Sequence, residues 1–271
     1  HRYVAHGGAA EYFECNDVEV LSESGAGTGK TRCYLERALE IAENYPGSRQ
    51  FFARKTHKDL ADTVLPEWEA EVLGPGHPAI HGDAKPRGRR DYRFPNGSVV
   101  DLFGLANVDS RMSGQWHRGY VFEGHECERE DWEKLLTRMR SRPVPRVRTG
   151  ELLTPQLSMD TNPARKSHWA NKRADEPYVI PDALKDLLPA PRRGQTRMTR
   201  ICFRHEDNPR WYDYDLRRWT PEGAHYIGII LNALTGARRE RLLHHRWVSE
   251  EGLVWPEYSR SIHLQKGELE V

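Results

Sequence analysis

At 271 residues, 37% hydrophobic and 30% charged, the chain can bury the core of one large α/β domain with a small appended lobe, and its composition is not that of a disordered protein. Lys+Arg 41 against Asp+Glu 40 gives a formal net charge of +1. That balance excludes a whole-chain basic footprint for nucleic acid, so DNA contact falls to local patches.

Strands and helices alternate through the first two-thirds, the pattern of a mainly parallel sheet flanked by helices. Val18 to Leu21 predicts a strand running into a glycine-rich turn. Thr31 to Asn44 predicts a helix, with Leu35, Leu39 and Ala42 on one stripe. Gln50 to Ala53 is a second strand and His57 to Val72 a second helix; Gly74 to Pro78 is a loop. Tyr92 to Phe94 and Ser98 to Leu102 flank Pro95-Asn96-Gly97, a hairpin signal. Tyr120 to Phe122 predicts a buried strand, Trp132 to Arg140 a helix, and Gln156 to Met159 a further strand. Pro177 to Arg200, rich in proline and basic residues, reads as a surface connection. Helical patterns follow at Pro221 to Leu234 and Ala237 to Val248, and the tail from Gly252 has no helical period. No apolar run approaches the roughly 20 residues of a membrane span. Cys15, Cys33, Cys127 and Cys202 are scattered and read as free thiols of a reducing cytoplasm. A start at His1 predicts a processed N-terminus.

The segment Ser24-Gly25-Ala26-Gly27-Thr28-Gly29-Lys30-Thr31 fits the P-loop pattern, with Ser24 at the first glycine position. Glycines let backbone N–H groups curl toward phosphate oxygens, and the following helix adds its N-terminal dipole. Lys30 is the expected charge on the β- and γ-phosphates of ATP, and Thr31 the expected hydroxyl ligand to Mg²⁺.

Hydrolysis also needs a carboxylate beside the attacking water. Gly119-Tyr120-Val121-Phe122-Glu123 supplies an apolar strand ending in Glu123, the expected water-positioning residue and a metal-side candidate. An acidic metal ligand usually precedes that glutamate; here the position is Phe122. Glu126 is a weaker metal candidate. The alternative for Glu123 is a carboxylate that merely opens the next helix.

These residues, taken in order, resemble the large terminase subunit of tailed phages, particularly the actinobacteriophage type. The likeness runs from Val20-Leu21 and the P-loop through Tyr45 to Arg49, Ala53-Arg54-Lys55-Thr56 and the Phe94 to Ser98 hairpin. It continues through Tyr120 to Glu123, Leu136 to Arg140, Asp160-Thr161-Asn162-Pro163 with His168-Trp169, His205 to Arg210, Leu234-Thr235-Gly236 and Trp247 to Tyr258. Gly124 and His125 depart from the small residues usual after the glutamate. The resemblance implies an additional-strand P-loop ATPase core over residues 1–175, a lid subdomain over 176–250 and a linker over 251–271. The linker would lead to a nuclease expected to be absent here, so no DNA cleavage is expected. It further implies ATP and Mg²⁺ as cofactors and double-stranded DNA, the portal protein and the small terminase subunit as partners. The place of action would be a ring docked on the procapsid portal in the host cytoplasm.

By the same resemblance Asn162 couples hydrolysis to movement; alone, Asn-Pro is an ordinary turn signal. Arg111, in Ser110 to Gly114, is a candidate for reaching a neighbouring subunit's site, since a planar permanent cation suits charge on a γ-phosphate. Arg138 and Arg140 are alternatives, or surface ion-pair partners of Glu133 or Asp131. Arg54 and Lys55, and the basic run Arg238 to Arg246, are candidate DNA or phosphate contacts or solvated faces. His205 to Asn208 reads as a structural turn. Two rival functions stay open: a helicase-like nucleic-acid ATPase and a nucleotide-binding regulatory module without turnover.

Overall fold

The computed structural model describes residues 3–81, 85–187 and 196–249, and the structural statements below concern these. The proposed linker 251–271, the tail from Gly252, most of Trp247 to Tyr258 and residues 188–195 of the proline-rich connection lie outside them.

A helix α1 (Gly8–Glu14), absent from the sequence expectations, precedes the first strand. Then follow β1 (Glu19–Glu23), α2 (Lys30–Asn44) and β2 (Arg49–Arg54). The single helix expected over His57 to Val72 is divided into α3 (His57–Thr63), α4 (Leu65–Glu67) and a π-helical turn Trp68–Leu73. Pro66 explains the break: it has no amide proton and cannot continue the ladder from α3. The Asn96-Gly97 hairpin joins β3 (Asp91–Arg93) to β4 (Val99–Gly104), with Arg93 paired to Val99. Next come β5 (Arg118–Val121), α5 (Arg129–Leu136), β6 (Gln156–Thr161) and α6 (Trp169–Arg173). α5 starts and stops earlier than Trp132 to Arg140, because the chain past Thr137 turns to run beside Trp116, whose amide donates to the Arg138 carbonyl at 3.0 Å.

The proline-rich connection ends in a strand the sequence reading lacks, β7 (Thr199–Cys202). Beyond it lie a two-strand hairpin, β8 (Tyr212–Asp213) with β9 (Arg218–Trp219), and two short helices. These are α7 (Pro221–His225), prolonged by a π-helical turn Tyr226–Leu231, and α8 (Gly236–Leu242). The helical pattern expected to reach Val248 therefore stops short; beyond it His245 takes a left-handed φ of 57°.

Seven strands form one sheet in the order β3-β4-β2-β5-β6-β1-β7, parallel except for β3. An extra strand, β6, thus stands between the P-loop strand β1 and the Glu123 strand β5: the additional-strand P-loop arrangement. Every residue of β1, β5 and β6 is buried, as expected of parallel strands covered on both faces. Strand alternation divides neighbouring side chains between two cores. Phe52, Tyr120 and Phe122 join Tyr12, Tyr34 and Trp68 on one face, while Phe51 and Val121 join Trp116, Trp132 and Met159 on the other. At the start of β1, buried Glu19 receives a bidentate pair from Arg173 (2.6 and 3.0 Å) and the Trp132 indole N–H (2.8 Å). Among the described residues no helix is long and apolar enough to cross a membrane.

Candidate nucleotide-binding site

Ligands of open α/β sheets bind beyond the carboxyl ends of the strands. Here those ends frame a cavity of about 350 Å³, whose lining includes Ala26 to Thr31, Glu123, Asp160, Asn162, Asn208, Arg210 and Trp211. The residues at the ends of β1, β5 and β6 come together because these strands are adjacent; Glu67 comes from α4, and Asn208, Arg210 and Trp211 come from beyond β7.

The P-loop joins β1 to α2. Gly29 caps α2 with φ 87°, a left-handed conformation natural to glycine. Lys30 is buried, and its ammonium donates to Ser24 Oγ (2.8 Å), the Gly25 carbonyl (3.0 Å), the Ser24 carbonyl (3.3 Å) and Asn162 Oδ1 (3.2 Å). Burial pulls its pKa down to about 8, opposed by the charges of Asp160, Glu123 and Glu23. Ser24, the departure from glycine, is thus used: its hydroxyl holds Lys30 and meets Thr28 Oγ1 at 2.5 Å.

Glu123 follows β5 at φ 52°, ψ 53°, the left-handed region that a non-glycine residue occupies at a cost. Its amide donates to Asp160 Oδ1 at 2.8 Å, and its carboxylate lies 3.4 Å from His125 Nδ1. The other Asp160 oxygen accepts the Thr31 hydroxyl at 2.9 Å. Burial and the neighbouring Glu123 charge push the Asp160 carboxyl up to about 6, against Lys30 and the two hydrogen bonds. The sequence reading has Asp160 only as part of a motif. The signal for it is an acid directly after the strand expected over Gln156 to Met159.

A second group of residues, far along the chain, closes over the loop. His205 Nε2 meets the Ala26 carbonyl at 3.0 Å, while the Asn208 amide and the Trp211 indole N–H donate to the Gly27 carbonyl at 2.8 and 2.5 Å. The Trp211 ring stacks on Tyr226 (centroids 4.7 Å apart), and the Arg210 guanidinium lies 4.7 Å from the Trp211 ring centre. A Cβ on Gly25 would sit 1.9 Å from the Leu242 carbonyl at the end of α8, and one on Gly27 2.9 Å from the Tyr226 ring. The loop is glycine-rich partly because its cover rests directly on it. His205 to Asn208 is indeed a turn, a 3₁₀ turn over His205–Asp207, but its side chains clamp the P-loop.

No protein-family model matches the chain, and no curated protein matches it by sequence. Solved structures match it by shape. The large terminase of a thermophilic bacteriophage superposes over 96% of this chain with a TM-score of 0.59 at 13% identity. The same thermophilic phage protein in complex with ATP-gamma-S gives 0.57 over 95% of this chain at 13% identity, covering 56% of that chain. The Thermus phage P74-26 large terminase ATPase domain gives 0.54 over 91% of this chain and 95% of that one, at 14% identity. The chain has the fold of a phage large terminase ATPase domain. It spans a little over half of the thermophilic phage protein, 57% of its length.

Against that terminase fold, several sequence candidates lie away from the cavity. Arg111 ends a 3₁₀ segment after β4, with its guanidinium 5.6 Å from the Phe103 ring centre. Glu126 pairs with Arg54 at 3.5 Å rather than lining the cavity, so both are turned to each other. Glu133 takes Arg129 and Arg173, each at 3.0 Å, not the expected Arg138 or Arg140. In the basic run, Arg239 donates to Asn232, Arg241 to the Val248 carbonyl, and Arg246 pairs with Glu240. Much of that run is therefore engaged within the chain.

Proposed function

We propose that this chain is the ATP-hydrolysing motor domain of a phage large terminase subunit. One observation carries the reading: Lys30, Thr31, Glu123 and Asn162 converge on a single cavity at the P-loop within a terminase fold. Structures of the thermophilic phage terminase hold ATP-gamma-S and ADP, and the same class of ligand suits this cavity.

The P-loop amides of Gly25 to Lys30 would cradle the phosphates, and the Lys30 ammonium, already facing the loop, would turn to the β- and γ-oxygens. Thr31 offers a hard hydroxyl oxygen of the kind Mg²⁺ prefers. When bound, Mg²⁺ neutralises charge on the transferred phosphoryl group. Glu123 orients the attacking water and accepts its proton. Asn162 touches Lys30, so a change at the phosphates reaches the end of β6 through one hydrogen bond. The segment over the P-loop acts as the lid. Arg111 is assigned to the site of a neighbouring copy in a ring on the procapsid portal. That ring would drive double-stranded DNA inward with the small terminase subunit as partner, in the host cytoplasm.

Steady-state ATP turnover, with and without double-stranded DNA, tests this. Lys30→Ala should fall to background, and Glu123→Gln should bind nucleotide while losing about 10²-fold or more in rate. Near-normal turnover in a folded Lys30→Ala variant would remove the assignment.

A further inference from the structure

P-loop hydrolases commonly hold their metal with a P-loop hydroxyl and an acid just before the catalytic glutamate. Here that position is Phe122, whose ring packs against Phe52 (centroids 5.5 Å apart) and Tyr34 (6.1 Å). It offers a cation nothing. The register shows where an acid stands instead. Val121 pairs with Met159 in the parallel ladder, so the next residues along, Phe122 and Asp160, are level on neighbouring strands. Both belong to the α2 face: Phe122 packs on Tyr34 of α2, while Ser158, two residues before Asp160, bonds Tyr12, which stacks on the same Tyr34. Asp160 thus has the height and facing of Phe122, displaced by one strand spacing of about 4.8 Å toward β1 and the P-loop.

We infer that Asp160 supplies the metal-side carboxylate that Phe122 does not, holding the Mg²⁺ of a bound Mg²⁺–nucleotide together with Thr31. This rests on the nucleotide-binding reading above. The hydrogen bonding suits the role. Thr31 gives its only hydroxyl proton to Asp160 Oδ2 at 2.9 Å, which leaves its lone pairs for a cation. Asp160 Oδ1 meanwhile accepts the Glu123 amide at 2.8 Å, so one side chain fixes both the metal-side hydroxyl and the backbone of the water-positioning glutamate. Asp160 is only 3% exposed, a place where a carboxylate is kept for a charged or donating partner. Among the described residues no three His, Cys, Asp or Glu side chains gather as a metal cage. Mg²⁺ needs none: one or two protein oxygens, nucleotide phosphates and water complete its shell.

The experiment measures binding of a fluorescent ATP analogue to the full chain in EDTA and in Mg²⁺. Wild type should bind more tightly in Mg²⁺. Asp160→Asn should lower the Mg²⁺ tightening, read as the ratio of its Mg²⁺ to its EDTA affinity, by about tenfold to a hundredfold. Asp160→Cys separates metal binding from loop support, because a thiolate disfavours Mg²⁺ but takes Cd²⁺. Tightening by Cd²⁺ and not by Mg²⁺ in that variant, compared with wild type in Cd²⁺, supports the assignment even if Asp160→Asn binds poorly throughout. Undiminished Mg²⁺ tightening in Asp160→Asn overturns it, as does a folded Asp160→Cys variant that neither metal tightens. Wild type that binds no nucleotide in either buffer would instead remove the reading beneath it, and this assignment with it.

Discussion

The floor of the cavity, from β1, β5 and β6, is set by ladder pairing inside two buried aromatic and aliphatic cores. Its cover, residues 205–242, reaches the same P-loop mainly through side chains that bond two carbonyls, those of Ala26 and Gly27. The cover also leaves Trp219, Ile229 and Ile230 exposed, whereas the floor strands expose nothing. Regions with few buried apolar contacts open at low free energy, and lids are drawn from them. The difference teaches a physical division: the floor holds Lys30, Glu123 and Asp160 in fixed register, while the cover meets the loop through a few side-chain bonds, so that on the nucleotide-binding reading it would adjust how tightly a ligand is enclosed.

The largest expected effect tests whether either region supplies the arginine for catalysis. The cover brings Arg210 to the cavity, but that side chain is committed to Glu222 at 3.0 Å and to the Trp211 ring. Arg111 lies outside the cavity of its own chain. An arginine acting in trans is worth about 10³–10⁵ in rate. Arg111→Ala should therefore lose roughly that much ATP turnover, and mixing it with Glu123→Gln chains, which keep Arg111, should restore part of the rate. Arg210→Ala should lose far less and gain nothing on mixing. If Arg210→Ala is the more damaged variant and mixing rescues neither, catalysis belongs to the cover and the division above fails.

The next effect concerns the floor alone. Glu19 anchors the start of β1, at the opposite end from the P-loop, and is the bidentate partner of nearly buried Arg173. Removing one member of a buried pair costs about 3–5 kcal/mol when the other charge is left uncompensated; here Arg173 keeps Glu133 at 3.0 Å, so the cost falls to the about 1–3 kcal/mol of buried donors left unpaired. Glu19→Ala should lower unfolding stability in urea by that amount, while nucleotide affinity of the folded fraction stays at the wild-type value. A loss below about 1 kcal/mol would show that the floor does not depend on this anchor.

The floor was also the legible part of the sequence. Strand, glycines, Lys30, Thr31 and helix are contiguous there, and Tyr120 to Glu123 reads as an apolar strand with an acidic end. Asp160 escaped, since only the order β5-β6-β1 brings it to Thr31, 129 residues away along the chain. β7 escaped because four residues on a sheet edge, after a basic and proline-rich stretch, carry too short an alternation. α1 begins among glycines and alanines that resemble a loop. The resemblance implies a lid over residues 176–250, but not how it meets the P-loop: His205, Asn208 and Trp211 act by contacts about 180 residues distant, and from sequence alone His205 to Asn208 reads as an ordinary turn.

The smallest effect isolates one bond between cover and floor. Trp211 donates its indole N–H to the Gly27 carbonyl at 2.5 Å while its ring stacks on Tyr226. Trp211→Phe keeps an aromatic ring for Tyr226 and Arg210 but removes the donor. A single hydrogen bond of this kind contributes about 0.5–1.5 kcal/mol net, a factor of roughly 2 to 13 in an equilibrium constant. If the cover works by holding the loop closed around its ligand, that factor should appear mainly in the nucleotide dissociation rate, measured by stopped-flow displacement of a fluorescent analogue. The association rate should change little, since the floor that receives the phosphates is untouched. Thermal stability should fall only slightly, because the cover contributes little to the cores beneath it. A Trp211→Phe variant with unaltered dissociation but a clearly lowered melting temperature would give the opposite answer. The bond would then serve the packing of the cover itself, and the enclosure of the ligand would have to come from Asn208 or His205.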